Sequence, residues 1–346
     1  MQYSNMYSIS NDNLNNFLKT IQSEYNVYAP VKKNDKLFYK KYADNLNDLV
    51  LGEIRASDPL KAFYFKARET VVKDFNQSVP EKEDKPYCII GAKACDLTGF
   101  SIQDYVFKTD DFEDPFYIRN REQNLIITAD CTNAIETCFC VALGNKPYPD
   151  ENFDINLSPL ETSIIIETGS KKGEEVLEKC KDLLNEVSNE LKSEQEVLRN
   201  KVTVQVEKNI EENNIPNKDK LKGAVEKSID SEIWLDESKT CVECGACNSI
   251  CPTCHCFLLY DQQDKDKMER LRVWDSCMVK DFAKVAGGAN PREKLWMRLR
   301  NRFEKKFDFF PKVAGTFACT GCGRCISACP AKIDIRKVLK RLVEKC

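Results

Sequence analysis

Two stretches of this chain share one unusual spacing. CVECGACNSICP places cysteines at 241, 244, 247 and 251 with Pro252 behind them, and CTGCGRCISACP places them at 319, 322, 325 and 329 with Pro330 behind. A run C-x-x-C-x-x-C-x-x-x-C-P winds three thiols, two residues apart, around one face of a compact object, with backbone amides turned inward. The fourth thiol follows after three intervening residues, where the spacing predicts the start of a helix with proline in its first turn.

That spacing is the bacterial ferredoxin run, in which the fourth cysteine of each copy reaches across to the other cluster. The expected ligand sets are therefore Cys241, Cys244, Cys247 and Cys329 for one [4Fe–4S] cluster, and Cys319, Cys322, Cys325 and Cys251 for the second. A zinc ribbon would use only four of the eight thiols and has no need of the Cys-Pro endings. A cube held by four cysteines has no open iron, so the module is expected to carry electrons rather than transform a substrate.

The rest of the composition agrees with sulfur chemistry. The chain has 18 cysteines and a single histidine, His255, among 346 residues. One histidine rules out His-rich zinc or di-iron sites. The start, MQYSNMYSISNDN, shows no export signal, so clustered cysteines point to metal or redox work rather than disulfides. A net charge of −3 argues against a nucleic-acid partner. No apolar run approaches the length of a membrane span. The expected location is an anaerobic cytoplasm.

Residues 1–170 read as an α/β domain. NVYAP, KLFYKKY, KAFYFKARETVV, YCIIGA, NLIITAD and SIIIETG are short apolar runs, and YCII, LIIT and SIII are continuous as core strands are. KTDDFEDPFYIRNRE between them reads as a surface loop. Residues 171–232 read as a charged helical connector, with Val176, Leu177, Cys180, Leu183, Leu184, Val187 and Leu191 on one face. Residues 233–346 read as an α-rich two-[4Fe–4S] ferredoxin-like module carrying a helical insertion at 257–318. In that insertion Trp296, Leu299, Phe303 and Phe307 form an apolar stripe among Arg298, Arg300, Arg302, Lys305 and Lys306. A wet basic face is the preferred reading, and a docking face for an acidic redox partner the alternative.

Four more cysteines follow predicted strands. Cys95 lies just beyond YCIIGA, Cys131 just beyond NLIIT, and Cys138 and Cys140 in the next turn. If those strands are neighbours, all four thiols stand at the carboxyl edge of the sheet, where open α/β sheets place their sites. They match the requirement of a third [4Fe–4S] cluster, with Asp96 a possible substitute ligand. Cys88 and Cys180 read as buried small hydrophobes, and Cys346 as exposed and incidental. Cys254, Cys256 and Cys277 stay open between an additional cluster, S–H donors to a cube, and simple packing.

GAKACD, ADC followed after six residues by CFCVALG, CVECGACNSICPTCHC, WDSCM, AGGANPREK and CTGCGRCISACP resemble, in this order, the β chain of archaeal sulfhydrogenases. They are similar also to the dicluster electron-transfer chain of anaerobic sulfite reductase. The likeness covers nearly the whole chain and is weakest at about 177–230. It implies an iron–sulfur electron-transfer subunit in a hetero-oligomer. Such a protein has a flavin-containing, NAD(P)-type diaphorase subunit on one side. On the other it has a catalytic subunit of the hydrogenase or sulfite/sulfur reductase type. Cys95, Cys131, Cys138, Cys140, Cys254, Cys256 and Cys277 match family cysteine positions. There is no GxGxxG or P-loop, so flavin and nucleotide are expected on another chain. A second class of reading is a catalytic iron–sulfur protein that binds a small substrate at the N-terminal cluster.

Overall fold

The computed structural model describes residues 5–43, 49–73, 76–77, 85–109, 111–264 and 267–345. Cys346 lies outside them. YCIIGA and LIITA become adjacent parallel strands, Tyr87–Ala92 and Leu125–Ala129, with Ile89 opposite Ile126 and Ile90 opposite Ile127. Asn26–Lys33 and Ile155–Pro159 extend this parallel core on either side. Lys36–Lys41 closes one edge antiparallel, and Ser163–Thr168, Met6–Ser10 and Asn185–Glu186 close the other, giving eight strands.

Both faces of the sheet are covered, which is why its strands are continuously apolar. Cys88, Ile90, Leu125 and Ile127 face the helix Leu14–Glu24 through Phe17, Leu18 and Ile21, and the helix Lys171–Glu178 through Val176 and Leu177. Their neighbours Ile89 and Ile126 face the opposite layer, where Leu97, Phe100 and Phe107 come from the helix Ala94–Phe107 and Tyr117 from Pro115–Gln123. Each such buried side chain contributes about 1.5–3 kcal/mol. Cys88 and Cys180 are buried in the first of these layers.

In its secondary structure outside the cysteine motifs the chain differs from the sequence reading in three places. The stretch expected as a surface loop contains the helix Pro115–Gln123. Asp114 caps it, accepting the N–H groups of Phe116 and Tyr117 at 3.0 and 2.9 Å, and Pro115 opens its first turn. The single helical face expected from Val176 to Leu191 is broken. Lys171–Glu178 ends, a turn carries the chain into the edge strand Asn185–Glu186, and a new helix, Asn189–Glu212, starts on a Ser188 cap.

The third difference is in the insertion, which opens with a β-hairpin rather than helix. Phe257–Asp264 pairs with Lys267–Trp274, and the latter pairs in turn with Arg68–Lys73 of the N-terminal region. Buried Arg272 locks this junction by ion pairs to Glu69 and Asp114. The helix Leu295–Glu304 follows, then a wider turn at Lys305–Phe309 and the short helix Phe310–Ala314.

A second core lies under the cysteine-rich region. Trp234, Leu299, Phe303 and Phe307 pack with Val338, Leu339 and Leu342 of the helix Ile335–Glu344, and Phe139 and Leu143 enter from the N-terminal half. The two halves therefore share a core. Among the described residues, no helix is long and apolar enough to cross a membrane.

Candidate iron–sulfur sites

The two ferredoxin-type loops have the same winding. The backbone turns left-handed at Glu243 (φ 56°) and Gly245 (69°) in one, and at Gly321 (68°) and Gly323 (68°) in the other. Within each loop a main-chain N–H donates to the first cysteine sulfur, from Glu243 to Cys241 and from Gly321 to Cys319. Short helices follow, Ala246–Ser249 and Arg324–Ala328, and they pack on each other. Each carries the third cysteine and ends before the fourth. The helix thus precedes Cys251 and Cys329, and Pro252 and Pro330 lie in the turns beyond, not in a first helical turn.

An apolar cavity is lined by Cys241, Cys244, Cys247 and Cys329, closed by Met278, Leu299, Phe303 and Ile335 and reached also by Cys325. Cys244 is its exposed member. A second group forms around Cys251. The thiols of Cys319 and Cys325 lie within electrostatic reach of Cys251 and Cys322. Burial drives Cys319 up to about 11 and Cys325 up to about 12.

Cys251 goes the other way. A hydrogen bond from Cys254, with Lys306 and Arg302 nearby, holds its thiol well below the ordinary value in spite of burial. Lys306 Nζ lies 3.3 Å from Cys251 Sγ and 2.8 Å from both Thr253 Oγ1 and the Ala318 carbonyl.

The strand-end cysteines converge. Cys95, Cys131, Cys138 and Cys140 line one cavity with Arg55, Val202, Val206, Gly321 and Cys322. Burial raises all four thiols, Cys131 to about 11. Val202 and Val206 belong to Asn189–Glu212, so the segment expected as a plain connector walls this site. The loop carrying Cys138 and Cys140 interlocks with the second ferredoxin-type loop. Phe139 N–H donates to the Gly321 carbonyl at 2.9 Å. A Cβ on Gly321 would meet Cys140 Cα at 2.5 Å, and one on Gly323 would meet the Thr137 carbonyl at 2.2 Å.

Asp96 is engaged elsewhere. Its carboxylate accepts Arg324 Nη2 at 2.8 Å and the Leu60 N–H at 3.2 Å, and the Arg324–Asp96 pair is fully buried. Burial alone would lower the Arg324 pKa, but Asp96 and the thiols of Cys322 and Cys95 hold it well above its usual value.

Cys254, Cys256 and Cys277 are not among the residues that line these two cavities. Cys254 bonds to Cys251, Cys256 lies near Cys277 and 3.9 Å from Lys305 Nζ, and Cys277 accepts the Asn248 amide at 3.0 Å.

Charged side chains that sequence reasoning placed in solvent or passed over are buried among these thiols. Arg298, Arg302 and Lys306, expected on a wet basic face, are at most 5% exposed. Their spacing of four residues was the available signal, since it puts all three on one helical face. Arg302 donates to the Asn248 side chain at 2.9 Å and the Cys247 carbonyl at 3.3 Å, and Arg298 pairs with Glu243 at 2.6 Å. Lys93 is fully buried in a cage of four carbonyls, those of Leu51, Gly52, Ala129 and Asp130. Lys61 donates to the carbonyls of Cys254 (2.7 Å) and Asn248 (3.4 Å), 4.2 Å above the Trp274 ring.

Groups of four thiols are the donor chemistry of an iron–sulfur cube, and buried cations beside them suit its negative charge. Burial raises the thiols of Cys95, Cys131, Cys140, Cys319 and Cys325, so iron bound there would displace protons. The described cysteines are all free thiols. Residues 240–333 match the 4Fe-4S dicluster domain family. The chain is also 30% identical over 330 residues to sulfhydrogenase 2 subunit beta of Pyrococcus furiosus, with 95% of each chain covered. Motif and full-length likeness agree, and the chain belongs to the sulfhydrogenase β-subunit family of 4Fe-4S dicluster proteins.

Proposed function

We propose that this chain is an electron wire of three [4Fe–4S] clusters inside a multi-subunit anaerobic, cytoplasmic oxidoreductase. The first is held by Cys241, Cys244, Cys247 and Cys329, the second by Cys319, Cys322, Cys325 and Cys251, the third by Cys95, Cys131, Cys138 and Cys140. The observation that carries the reading is their arrangement in series. Cys325, of the middle group, also lines the first cavity, and Cys322 also lines the cavity of the strand-end quartet. When bound, the clusters supply one-electron carriers. The chain holds them at fixed separation, keeps water away with apolar walls and balances their charge.

In this role the protein stands between a flavin-containing subunit that takes electrons from a nicotinamide carrier and a catalytic subunit of the hydrogenase or sulfite/sulfur reductase type. Flavin and nucleotide belong to the partner. The alternative, substrate binding at an open N-terminal cluster with Asp96 as ligand, is disfavoured by the Arg324 pairing, which uses that carboxylate. Cys254, Cys256 and Cys277 are assigned to supporting the ligands, Cys254 as S–H donor to Cys251.

Iron and acid-labile sulfide per chain after anaerobic purification test this. About twelve irons are expected, falling to about eight in Cys131→Ser. A wild-type content of eight that Cys131→Ser leaves unchanged would retire the third cluster.

A further inference from the structure

We infer that the middle thiol group, Cys251 with Cys319, Cys322 and Cys325, is built to take the first electron, because Lys306, Arg302 and Lys61 hold uncompensated positive charge against it. The inference rests on the three-cluster reading above. A cube held by four thiolates is an anion and gains one further negative charge on reduction, so nearby fixed cations favour the reduced form. One electron enters from a donor, and no bond forms or breaks.

Arg302 is a cation by its guanidinium, and the acceptors around Lys306 and Lys61 suit ammonium groups, with burial pulling the Lys61 pKa down and the nearby thiols of Cys254 and Cys251 holding it up. Lys306 Nζ meets three acceptors, the Thr253 hydroxyl, the Ala318 carbonyl and the Cys251 sulfur. Lys61 Nζ meets two carbonyls and an aromatic face. Arg302 donates to an amide oxygen and a carbonyl. Among the described residues none of the three pairs with a carboxylate, and all are buried.

The outer groups are balanced differently. At the first cavity Arg298 is neutralised by Glu243. At the quartet Arg324 is neutralised by Asp96, and the surplus carboxylate of Arg199 with Asp130 and Glu167 offsets one of the two cations Lys93 and Arg55, leaving one over. Positive charge without a counterion is therefore greatest in the middle, where Lys306 and Lys61 are joined by Arg302, which also lines the first cavity. An interior counterion is screened little by salt or water, so its effect is local and lasting.

The test is an anaerobic dithionite titration of the whole iron-loaded chain, followed by electron paramagnetic resonance. Lys306→Met is expected to lower the highest midpoint by at least a tenfold loss in the one-electron reduction constant, about 59 mV. The other two midpoints should move far less. Lys306→Arg should restore most of the loss. If Lys306→Met does not load its iron, Lys61→Met, whose amine touches no cysteine sulfur, should show the same direction of shift.

The wild type gives an independent readout. The first signal to appear should broaden at each of the two later reductions, since the middle cube has a neighbour on either side. In a chain that holds twelve irons, a first signal that broadens only once overturns the inference, as does a highest midpoint unmoved in a fully loaded variant. A wild-type content of eight irons would remove the third cluster alone, and the Lys306 shift would still be decided on the remaining pair.

Discussion

His255 shows at the residue scale how burial sets behaviour with pH. It lies between the rings of Phe107 and Phe310, and burial pulls its pKa from 6.5 down to about 4. The unfolded chain therefore binds more protons than the folded one between those values. Stability is intact above about pH 6.5 and falls as pH drops towards 4, by about 1.4 kcal/mol per unit, or roughly 2 kcal/mol at pH 5. Urea midpoints at pH 7 and pH 5 should show that difference in the wild type and a flatter one in His255→Gln. Equal slopes would remove this assignment. The residue scale is also where the sequence was most and least readable. Cysteine spacing carried the dicluster motif, because the ferredoxin run is a geometric requirement written into adjacent positions. Arg302 and Lys306 were misplaced because a charged helical residue defaults to solvent, and only the thiols across the interface reverse that default.

Interlocking loops dominate at the element scale. The Thr137–Cys140 stretch fits against Gly321 and Gly323 so closely that no side chain has room there. Gly323→Ala adds a left-handed backbone cost of about 1–2 kcal/mol and overpacking of about 1–3 kcal/mol. Thermal unfolding should fall accordingly, and iron should be lost from the middle and quartet groups before the first cavity. An unchanged melting temperature and iron content would show that the two loops are free to separate. The strands YCII and LIIT were legible because a doubly covered parallel strand must be apolar throughout. The hairpin Phe257–Trp274 was not, because its pairing partner Arg68–Lys73 lies about two hundred residues away and its locking residue, Arg272, is a buried charge satisfied by Glu69 and Asp114. The Pro115–Gln123 helix was hidden by its polar composition, although Asp114-Pro115 is a readable start signal.

For the whole molecule, the boundary expected near residue 233 is bridged in many places. Phe139 and Leu143 enter the C-terminal core, and Arg324 reaches back to Asp96 and the Ala56 carbonyl. Removing one partner of a buried ion pair costs about 3–5 kcal/mol. A reconstituted fragment beginning at residue 233 should therefore melt well below the full chain and surrender iron to a chelator sooner. A fragment that matches the full chain in both would show the C-terminal module to be self-sufficient. Long-range closure of this kind leaves little trace in local pattern, which is why the cysteine motifs were readable and the shared core was not.

The closing of the quartet cavity by Gly321 and Cys322 also bears on how the protein is made. The ribosome releases Cys95, Cys131, Cys138 and Cys140 long before residue 321 exists. During that interval the sheet can form while its carboxyl edge stands open, with four reduced thiols exposed to oxygen and to adventitious metal. Val202 and Val206 cover part of that edge, and the remaining wall, Gly321 and Cys322, follows about 180 residues after Cys140. A product truncated before residue 321 would therefore carry the four thiols without that part of their cover.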